Sequence, residues 1–359
     1  MVRILHAADF HLDSAFTSLP EEKARERRQE GRALPERLVD YANDHGVELL
    51  LLAGDLFDSD QLYAQTAREL SAALGRFRGQ VVIAPGNHDV YTAASPYATE
   101  PWPENVHIFR SNTMETLSFP QYGCTVYGAA LTGESSDEVC LPFTCPDDGA
   151  VHLGVLHGET GARESKYRPL LPDWIARTGL DYLALGHVHT CGGVSRAGAT
   201  SYAYPGCPEG RGFDETGAKG FLLGTVDRGA AQLAFVPFAR RRYEVLEVDV
   251  TDRDPAEAVA AALPAATERD IYRIILTGTT GAPVRTEQLS AQLAERFYHL
   301  ELRDRTGMKR DLWEGCDSSS LRGLFLQKLR AQYDAADEAD RRRIEQAVRF
   351  GLAAMDRTE

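Results

Sequence analysis

Two histidines stand two residues apart in Leu183–Gly192, LALGHVHTCG, directly after an apolar run. On an extended chain, residues i and i+2 point to the same side, so His187 and His189 can aim both imidazoles into one pocket. Four other short segments offer the same kind of atoms. ADFH supplies Asp9 and His11, and GDLFD supplies Asp55 and Asp58. GNHD supplies Asn87, His88 and Asp89, and LHGE supplies His157. Taken singly, each also reads as a hydrogen-bonded loop. GNHD alone makes a good turn, because Asn and Asp tolerate left-handed geometry and Gly adopts it freely. Taken together, the five segments carry five of the chain's ten histidines, and an ordered set of that kind is not what loops assemble by chance.

The residue types define the chemistry. Carboxylate, amide oxygen and imidazole together suit Mn, Fe or Zn. Two ions about 3.5–4 Å apart need a bridging ligand, for which a carboxylate is the natural choice. Asp55, in the middle of the set, is the expected bridge. Such a pair clamps a phosphate ester, acidifies a water between the ions and stabilises the transition state. His88 adjoins Asn87 and need not bind metal itself. It is placed to stabilise developing charge or to protonate the leaving oxygen, with Asp89 expected to orient it. Gly54, Gly86 and Gly186 precede Asp55, Asn87 and His187 and are expected to let the backbone turn sharply.

Strand ends must hold these groups. VRILHAAD reads as a strand ending in Asp9, and VELLLLAGD as a second, nearly all apolar and so buried on both faces. The helical stretches EEKARERRQEGRALPERLVDYANDHG and AQTARELSAALGRF alternate with these strands and with VVIAPGN. This order implies parallel strands joined by right-handed crossovers, with ligands beyond their carboxyl ends. The later runs VHIF, CTVYGAAL, VHLGVLHG, DYLALGH, TSYAYPG, KGFLLGTV and AQLAFVPFA are short and rarely separated by helices. They suggest added strands, some antiparallel, in a second sheet. From ARRRYEVLEVDVTD a small β-α-β-α-β unit begins, and from Ser319 the chain is helical.

The bulk composition sets limits. The 359 residues are 43% hydrophobic and 26% charged, a globular balance that at this length suggests two or three domains. His and Asp interrupt the first residues, MVRILHAADFHLD, and no apolar run nears the roughly 20 residues that span a bilayer. A cytoplasmic protein is expected. The six cysteines, Cys124, Cys140, Cys145, Cys191, Cys207 and Cys316, include no C-x-x-C pair. Reduced thiols are therefore expected, with no structural zinc and no ligand role for Cys191 or Cys207. A net charge of −14 argues against wrapping nucleic acid over the whole surface. It is compatible with a local basic groove, or with metal ions meeting phosphates.

The five segments together resemble the calcineurin-like metallophosphoesterases, whose pattern D-x-H, G-D-x-x-D, G-N-H-D/E, a lone His and G-H-x-H is matched in order across Asp9–His189. The resemblance implies one ion held by Asp9, His11, Asp55 and His189, and a second held by Asp55, Asn87, His157 and His187. It implies an α/β fold: a two-sheet sandwich flanked by helices, with a small α+β capping domain and a C-terminal helical tail. ILHAADFHLDSAF, GDLFD and YPGCPEGRGFDE narrow the likeness to the DNA-repair exonuclease branch, SbcD and YhaO-like, as does SLRGLFLQKL near the C-terminus. That branch usually has Ser where this chain has Cys207. The domains implied are 1–240 for the nuclease, 241–310 for the cap and 311–359 for a helical docking segment. The cofactors implied are two divalent ions, Mn2+ foremost. The partners implied are DNA, an SMC-like ATPase of the SbcC type and a second copy of the chain, with no membrane.

Three readings of function remain at this level. One is a two-metal DNA exonuclease or endonuclease; another is a phosphoesterase on a small nucleotide, lipid or phosphoprotein. The third is a binding module with an inert site, which the intact ligand set opposes. Arg240, Arg241 and Arg242 in ARRRY fit either a DNA-backbone contact or a solvated turn. In the tail, Ile344, Ala347, Val348, Leu352 and Met355 share a helix face, and Leu321, Leu324, Phe325, Leu326 and Leu329 make a broader one. Those faces either pack on the chain's own nuclease domain or dock on another protein.

Overall fold

The four leucines Leu49–Leu52 are all fully buried, as a strand covered on both faces requires. Their alternation splits them between two layers. Leu50 and Leu52 pack with Leu34, Leu38, Leu70 and Leu74 of helices, while Leu49 and Leu51 pack with Val126, Leu153, Val155 and Ala184 of other strands. The computed structural model describes residues 1–58, 64–133, 143–161, 164–308 and 311–355. Cys140 lies outside the described residues. The chain divides into two compact units.

The first unit comprises Met1–Val245, Ala265–Arg273 and Ala294–Leu300. It opens with β1 (Val2–Ala7), α1 (Glu21–Arg32), α2 (Leu34–Asp44), β2 (Leu49–Leu52), α3 (Ala64–Gly75), β3 (Gln80–Ile83), α4 (Pro96–Thr99) and β4 (Val106–Ile108). There follow β5 (Glu115–Phe119), β6 (Cys124–Gly128), β7 (Val151–His157), the short β8 (Glu159–Thr160) and β9 (Pro169–Leu170), α5 (Pro172–Arg177) and β10 (Tyr182–Gly186). Then come β11 (Ser195–Ala197), β12 (Thr200–Ala203), β13 (Gly220–Asp227) and β14 (Ala230–Pro237). Two six-stranded sheets result, β14-β13-β1-β2-β3-β4 and β11-β12-β10-β7-β6-β5. β1 to β4 are parallel, as are β6, β7, β10 and β12. The sheets share one core, and each has helices on its other face. α2 and α3 cover the first, and α5, through Trp174 and Ile175, covers the second. This is the two-sheet sandwich expected from the sequence.

Three runs expected in the second sheet belong to the first. VHIF forms β4, and KGFLLGTV and AQLAFVPFA form the β13–β14 hairpin. β13 pairs antiparallel with β1, from Val2 opposite Val226 to His6 opposite Leu222. It covers the edge of β1 that the parallel strands leave open, which an exposed apolar edge needs.

A buried set of charges ties the loop after β12 to α1 and α2. Arg27, 1% exposed, donates to Glu30 at 2.6 Å and to Glu209 at 3.0 Å. Arg37 reaches the other Glu209 oxygen at 3.2 Å. Arg241 of the ARRRY run donates to Glu30 at 2.7 Å and lies over the Tyr298 ring. Arg241 is thus committed to an internal network. Removing one partner of such a buried set typically costs about 3–5 kcal/mol.

The second unit comprises Leu246–Pro264, Ile274–Leu293 and Glu301–Glu359. It holds the ends of β15 (Tyr243–Asp249), β16 (Ile271–Thr277) and β18 (His299–Asp304), a three-stranded sheet with β16 central, and the short pair β17 (Thr279–Thr280) and β19 (Gly307–Met308). With them are α6 (Pro255–Ala262), capped by Asp254, and α7 (Thr286–Leu293). The tail is a helical hairpin, α8 (Leu321–Ala335) and α9 (Glu338–Met355). Leu326 and Val348 are fully buried, and the Phe325 ring lies against Gly351. Leu321, Leu324 and Phe350 point to solvent, 56–77% exposed. Among the described residues no helix is long and apolar enough to cross a membrane.

Candidate metal centre

The donor-bearing segments sit at the carboxyl ends of parallel strands, β1, β2 and β3 from one sheet and β7 and β10 from the other. Short main-chain bonds fix how each chain leaves its strand. Asp9 N donates to Gly54 O and His11 N to Asp55 O, both at 2.9 Å. His187 N donates to Asp9 Oδ1 at 3.0 Å, joining a loop of the second sheet to one of the first. The turning falls on the donors themselves. Asp9, His11, Asp55 and His187 all have positive φ, between 45° and 112°, a costly backbone for residues with a Cβ.

Of the three glycines expected to turn the chain, only Gly54 does so, at φ 86°. Gly86 and Gly186 are needed for space. A Cβ on Gly86 would stand 2.1 Å from Asp55 Oδ1, and one on Gly186 would stand 1.8 Å from Ala53 O. The missing side chain of Gly86 lets the loops after β2 and β3 close onto Asp55, and that of Gly186 lets the second sheet close onto Ala53 and His157, at the ends of β2 and β7.

All seven residues expected as ligands converge. Asp55 Oδ2 lies 3.7 Å from His11 Nε2 on one side and 3.4 Å from His157 Nε2 on the other. His11 Nε2 and His189 Nε2 face each other at 3.3 Å, with Asp9 Oδ1 3.9 Å from His189 Nε2. Asn87 Oδ1 lies 2.9 Å from His157 Nε2 and 3.3 Å from His187 Nδ1. Two nitrogens each about 2.0–2.1 Å from one tetrahedral ion stand roughly 3.3–3.4 Å apart, so the spacing of His11 and His189 is that of two ligands on one cation. Asp9, His11 and His189 form one group of donor atoms within 4.8 Å of one another, and Asp9, Asp55 and His157 form a second. The donor set fits divalent metal.

Burial and charge set the protonation of these groups. Burial lowers the pKa of His11 and of His187, each to about 4, which keeps both neutral. Burial also opposes a charge on His157, but the Asp55 carboxylate beside it outweighs that and raises its pKa to about 9. Burial likewise opposes ionisation of Asp55, yet His157 and His11 hold its pKa well below the usual carboxylate range. Burial pushes Asp9 upward. His157 Nδ1 lies 2.8 Å from Ala53 O, so its hydrogen donates there and Nε2 faces the centre.

His88 lies at the rim with its ring exposed. Its main-chain N donates to Asp55 Oδ1 at 2.9 Å, and its Nδ1 meets Asp58 O at 3.0 Å. Asp89 has no bond to it. The Asp89 carboxylate accepts from the main-chain N of Gly86, Asp55, Leu56 and Phe57 and from the Tyr97 hydroxyl. Asp89 therefore organises the Asp55 loop, in place of the orienting role expected of it toward His88.

Four residues around the donors were not anticipated. Glu215 Oε1 lies 2.7 Å from His189 Nδ1. Arg211 bonds Glu215 at 2.6 Å and Asp58 at 3.2 Å. Lys219 Nζ donates to His189 O at 3.0 Å, and Tyr97 completes the Asp89 set. Arg211 and Glu215 lie in YPGCPEGRGFDE, but no spacing rule connects that segment to the histidines. His11, Asp58 and His88 make a third close group, but Arg211 already lies against Asp58 Oδ1, where a cation would meet the guanidinium. Cys207, buried with its thiol pKa pushed up by burial, has Sγ 3.7 Å from both His189 O and Glu215 Oε2. Among the described residues no cysteine belongs to a donor group.

Comparison with known proteins places this geometry. The chain is 33% identical to the metallophosphoesterase YhaO of Bacillus subtilis over 260 residues, 69% of this chain and 63% of that protein. It is 26% identical to the DNA double-strand break repair protein Mre11 of Methanopyrus kandleri over 341 residues, 88% of this chain and 72% of that one. It is 29% identical to the SbcD component of the nuclease SbcCD of Rhodobacter capsulatus over 215 residues, 55% of this chain and 50% of that one. The chain thus spans between half and three quarters of these relatives. The family model for calcineurin-like phosphoesterases matches residues 2–191, just over half of the chain and every one of the five donor-bearing strand ends, and the chain belongs to that family.

Proposed function

We propose that the protein is a two-metal phosphodiesterase acting on DNA, an exonuclease or endonuclease of repair that works with an SMC-like ATPase. The observation that carries the reading is the donor set on either side of Asp55 Oδ2. Asp9, His11, Asp55 and His189 would hold one ion, and Asp55, Asn87, His157 and His187 the other. Mn2+ is the proposed ion, since mixed imidazole, carboxylate and amide donors suit it. Two bound ions would polarise the phosphoryl oxygens and acidify a water at the centre. The protein's own part is to hold this geometry and to place His88 at the rim, where it meets the leaving oxygen as acid or charge stabiliser.

Support for DNA as substrate comes from the relatives, two of which carry DNA repair or nuclease in their names. The exposed apolar side chains of the α8–α9 hairpin, Leu321, Leu324 and Phe350, are the proposed ATPase contact. Residues 241–310 are the proposed capping domain, and the cytoplasm is the proposed compartment.

A second reading, a phosphoesterase on small nucleotides, lipids or phosphoproteins, is favoured by the net charge of −14 and by the commitment of Arg241 to Glu30. Incubation of the Mn2+-loaded protein with labelled duplex DNA, beside an aryl phosphodiester, separates the two. Cleavage of both supports the nuclease, and cleavage of the small ester alone supports the second reading.

A further inference from the structure

The histidines on the two sides of Asp55 are anchored differently. His11 and His189 present Nε2 to the centre and turn Nδ1 outward. There, His189 Nδ1 lies 2.7 Å from Glu215 Oε1, and His11 Nδ1 lies 3.2 Å from Asp58 Oδ1. One guanidinium joins the two carboxylates. Arg211 Nη2 is 2.6 Å from the same Glu215 oxygen and 3.1 Å from His189 Nδ1 itself, and Nη1 is 3.2 Å from the same Asp58 oxygen. The main-chain N of Arg211 also donates to Glu215 Oε2 at 2.8 Å. The other side has no such arrangement. His157 Nδ1 meets a main-chain carbonyl, and His187 turns Nδ1 inward toward Asn87.

At His189 the Glu215 carboxylate accepts the Nδ1 hydrogen, which fixes the tautomer and makes Nε2 a stronger donor than a neutral carbonyl does. At His11 the Asp58 oxygen stands beside Nδ1 as a negative charge without an aligned hydrogen bond. Two carboxylates and one guanidinium carry a net single negative charge, so the group as a whole attracts a cation. Arg211 restrains both carboxylates so that neither swings inward to become a ligand itself. Building on the two-ion reading, we propose that Arg211 is a positioning residue that makes the ion sites unequal. By clamping Glu215 onto the outer nitrogen of His189 and holding the Asp58 charge beside that of His11, it gives the Asp9–His11–Asp55–His189 site the tighter hold. The protein then keeps one ion when metal is scarce and takes up the second as metal rises.

The test is titration of the metal-free, full-length protein with Mn2+. Bound ions are counted by elemental analysis, and electron paramagnetic resonance distinguishes a lone ion from a coupled pair. The natural sequence should pass through a lone-ion stage before the coupled pair forms. Glu215→Gln keeps the shape and removes the charge, and Arg211→Met removes the clamp. Each should weaken the first ion about 10–100-fold and erase the lone-ion stage. In a His157→Asn background, which leaves the first site alone, Glu215→Gln should weaken the remaining ion by the same factor. In an Asp9→Asn background it should change nothing. Asp214→Asn, an exposed neighbour in the same loop, should leave uptake unaltered. Unequal sites that persist in Glu215→Gln overturn the clamp while the two-ion reading stands, as does equal weakening of both sites. If either variant melts early without metal, the other carries the comparison. A natural sequence that saturates at one ion defeats the two-ion reading itself, and this proposal with it.

Discussion

Asp55 Oδ2 has an imidazole within 3.7 Å on each side, and Asp55 Oδ1 accepts from the His88 main chain. Asp55→Ala should therefore abolish activity and lower occupancy of both ions together. Elemental analysis showing two full-occupancy ions in that variant would falsify the bridging role. His88 is bonded by its main chain to that bridge but keeps its ring at the rim. His88→Ala should retain both ions and lose about 10²–10⁴-fold in rate; loss of metal along with rate would make His88 a ligand. The centre should also be acid-sensitive in a set direction. Imidazole binds metal only when neutral, and the metal-free His157 keeps its proton up to about pH 9. Affinity should rise about tenfold per pH unit while that proton is displaced and level off above about pH 9. Mn2+ titrations from pH 6.5 to 9.5 check this, and a flat profile removes His157 from the ligand set.

At the scale of elements, the two sheets meet where Gly54 and Gly186 leave room. A Cβ on Gly186 would press on Ala53 O and stand 2.9 Å from His157 Nδ1, so β10 and the chain after β2 would have to separate. Gly186→Ala should cost about 1–3 kcal/mol, the usual range for overpacking a tight interior, and should weaken metal binding as well. A thermal melt run with and without Mn2+ measures both effects. An unchanged melt with full metal uptake would mean that the loops give way without strain. Asp89 acts on the same junction from below. Its carboxylate takes three successive main-chain hydrogens of the Asp55 loop, which no neutral side chain of that size can match.

At the scale of the whole molecule, the question is what the helical tail does. α8 and α9 pack on each other, with the Phe325 ring against Gly351 and the Tyr333 hydroxyl donating to Glu345, and Leu326 and Val348 are fully buried. The hairpin's Leu321, Leu324 and Phe350 are instead largely exposed. Replacing Leu321 and Phe350 with Asp should leave metal content and cleavage of a small phosphodiester within about twofold. If the proposed SMC-like ATPase contact lies there, the change should abolish its capture in a pull-down, because burying an unpaired charge in an apolar contact is prohibitive. Undiminished capture would move the partner contact elsewhere.

Candidate donors were legible in the chain alone, since carboxylate, amide and imidazole groups recur at the ends of successive apolar strands. Asp9, His11, Asp55, Asn87, His157, His187 and His189 stood among those donors, and alternating apolar strands and helices pointed to an α/β core; the two-sheet sandwich came from the family resemblance. Contacts between segments distant in sequence were not legible. Whether β13 joined β1 or the second sheet depended on which strand edge stood open, and β13 lies more than two hundred residues from β1. Gly86 and Gly186 looked like turn formers until the opposite loop was in place against them. Asp89 was assigned to its neighbour His88, whereas three of its partners, Asp55, Leu56 and Phe57, lie more than thirty residues away. Glu215 and Arg211 carried no recognisable spacing, because what they meet is the outer nitrogen of His189, which only the folded chain brings beside them. Periodicity and residue type act within a segment and are present in the chain from the start. The packing of one segment on another arises only in the tertiary structure, and that packing determines which atoms of the chosen residues face the reaction.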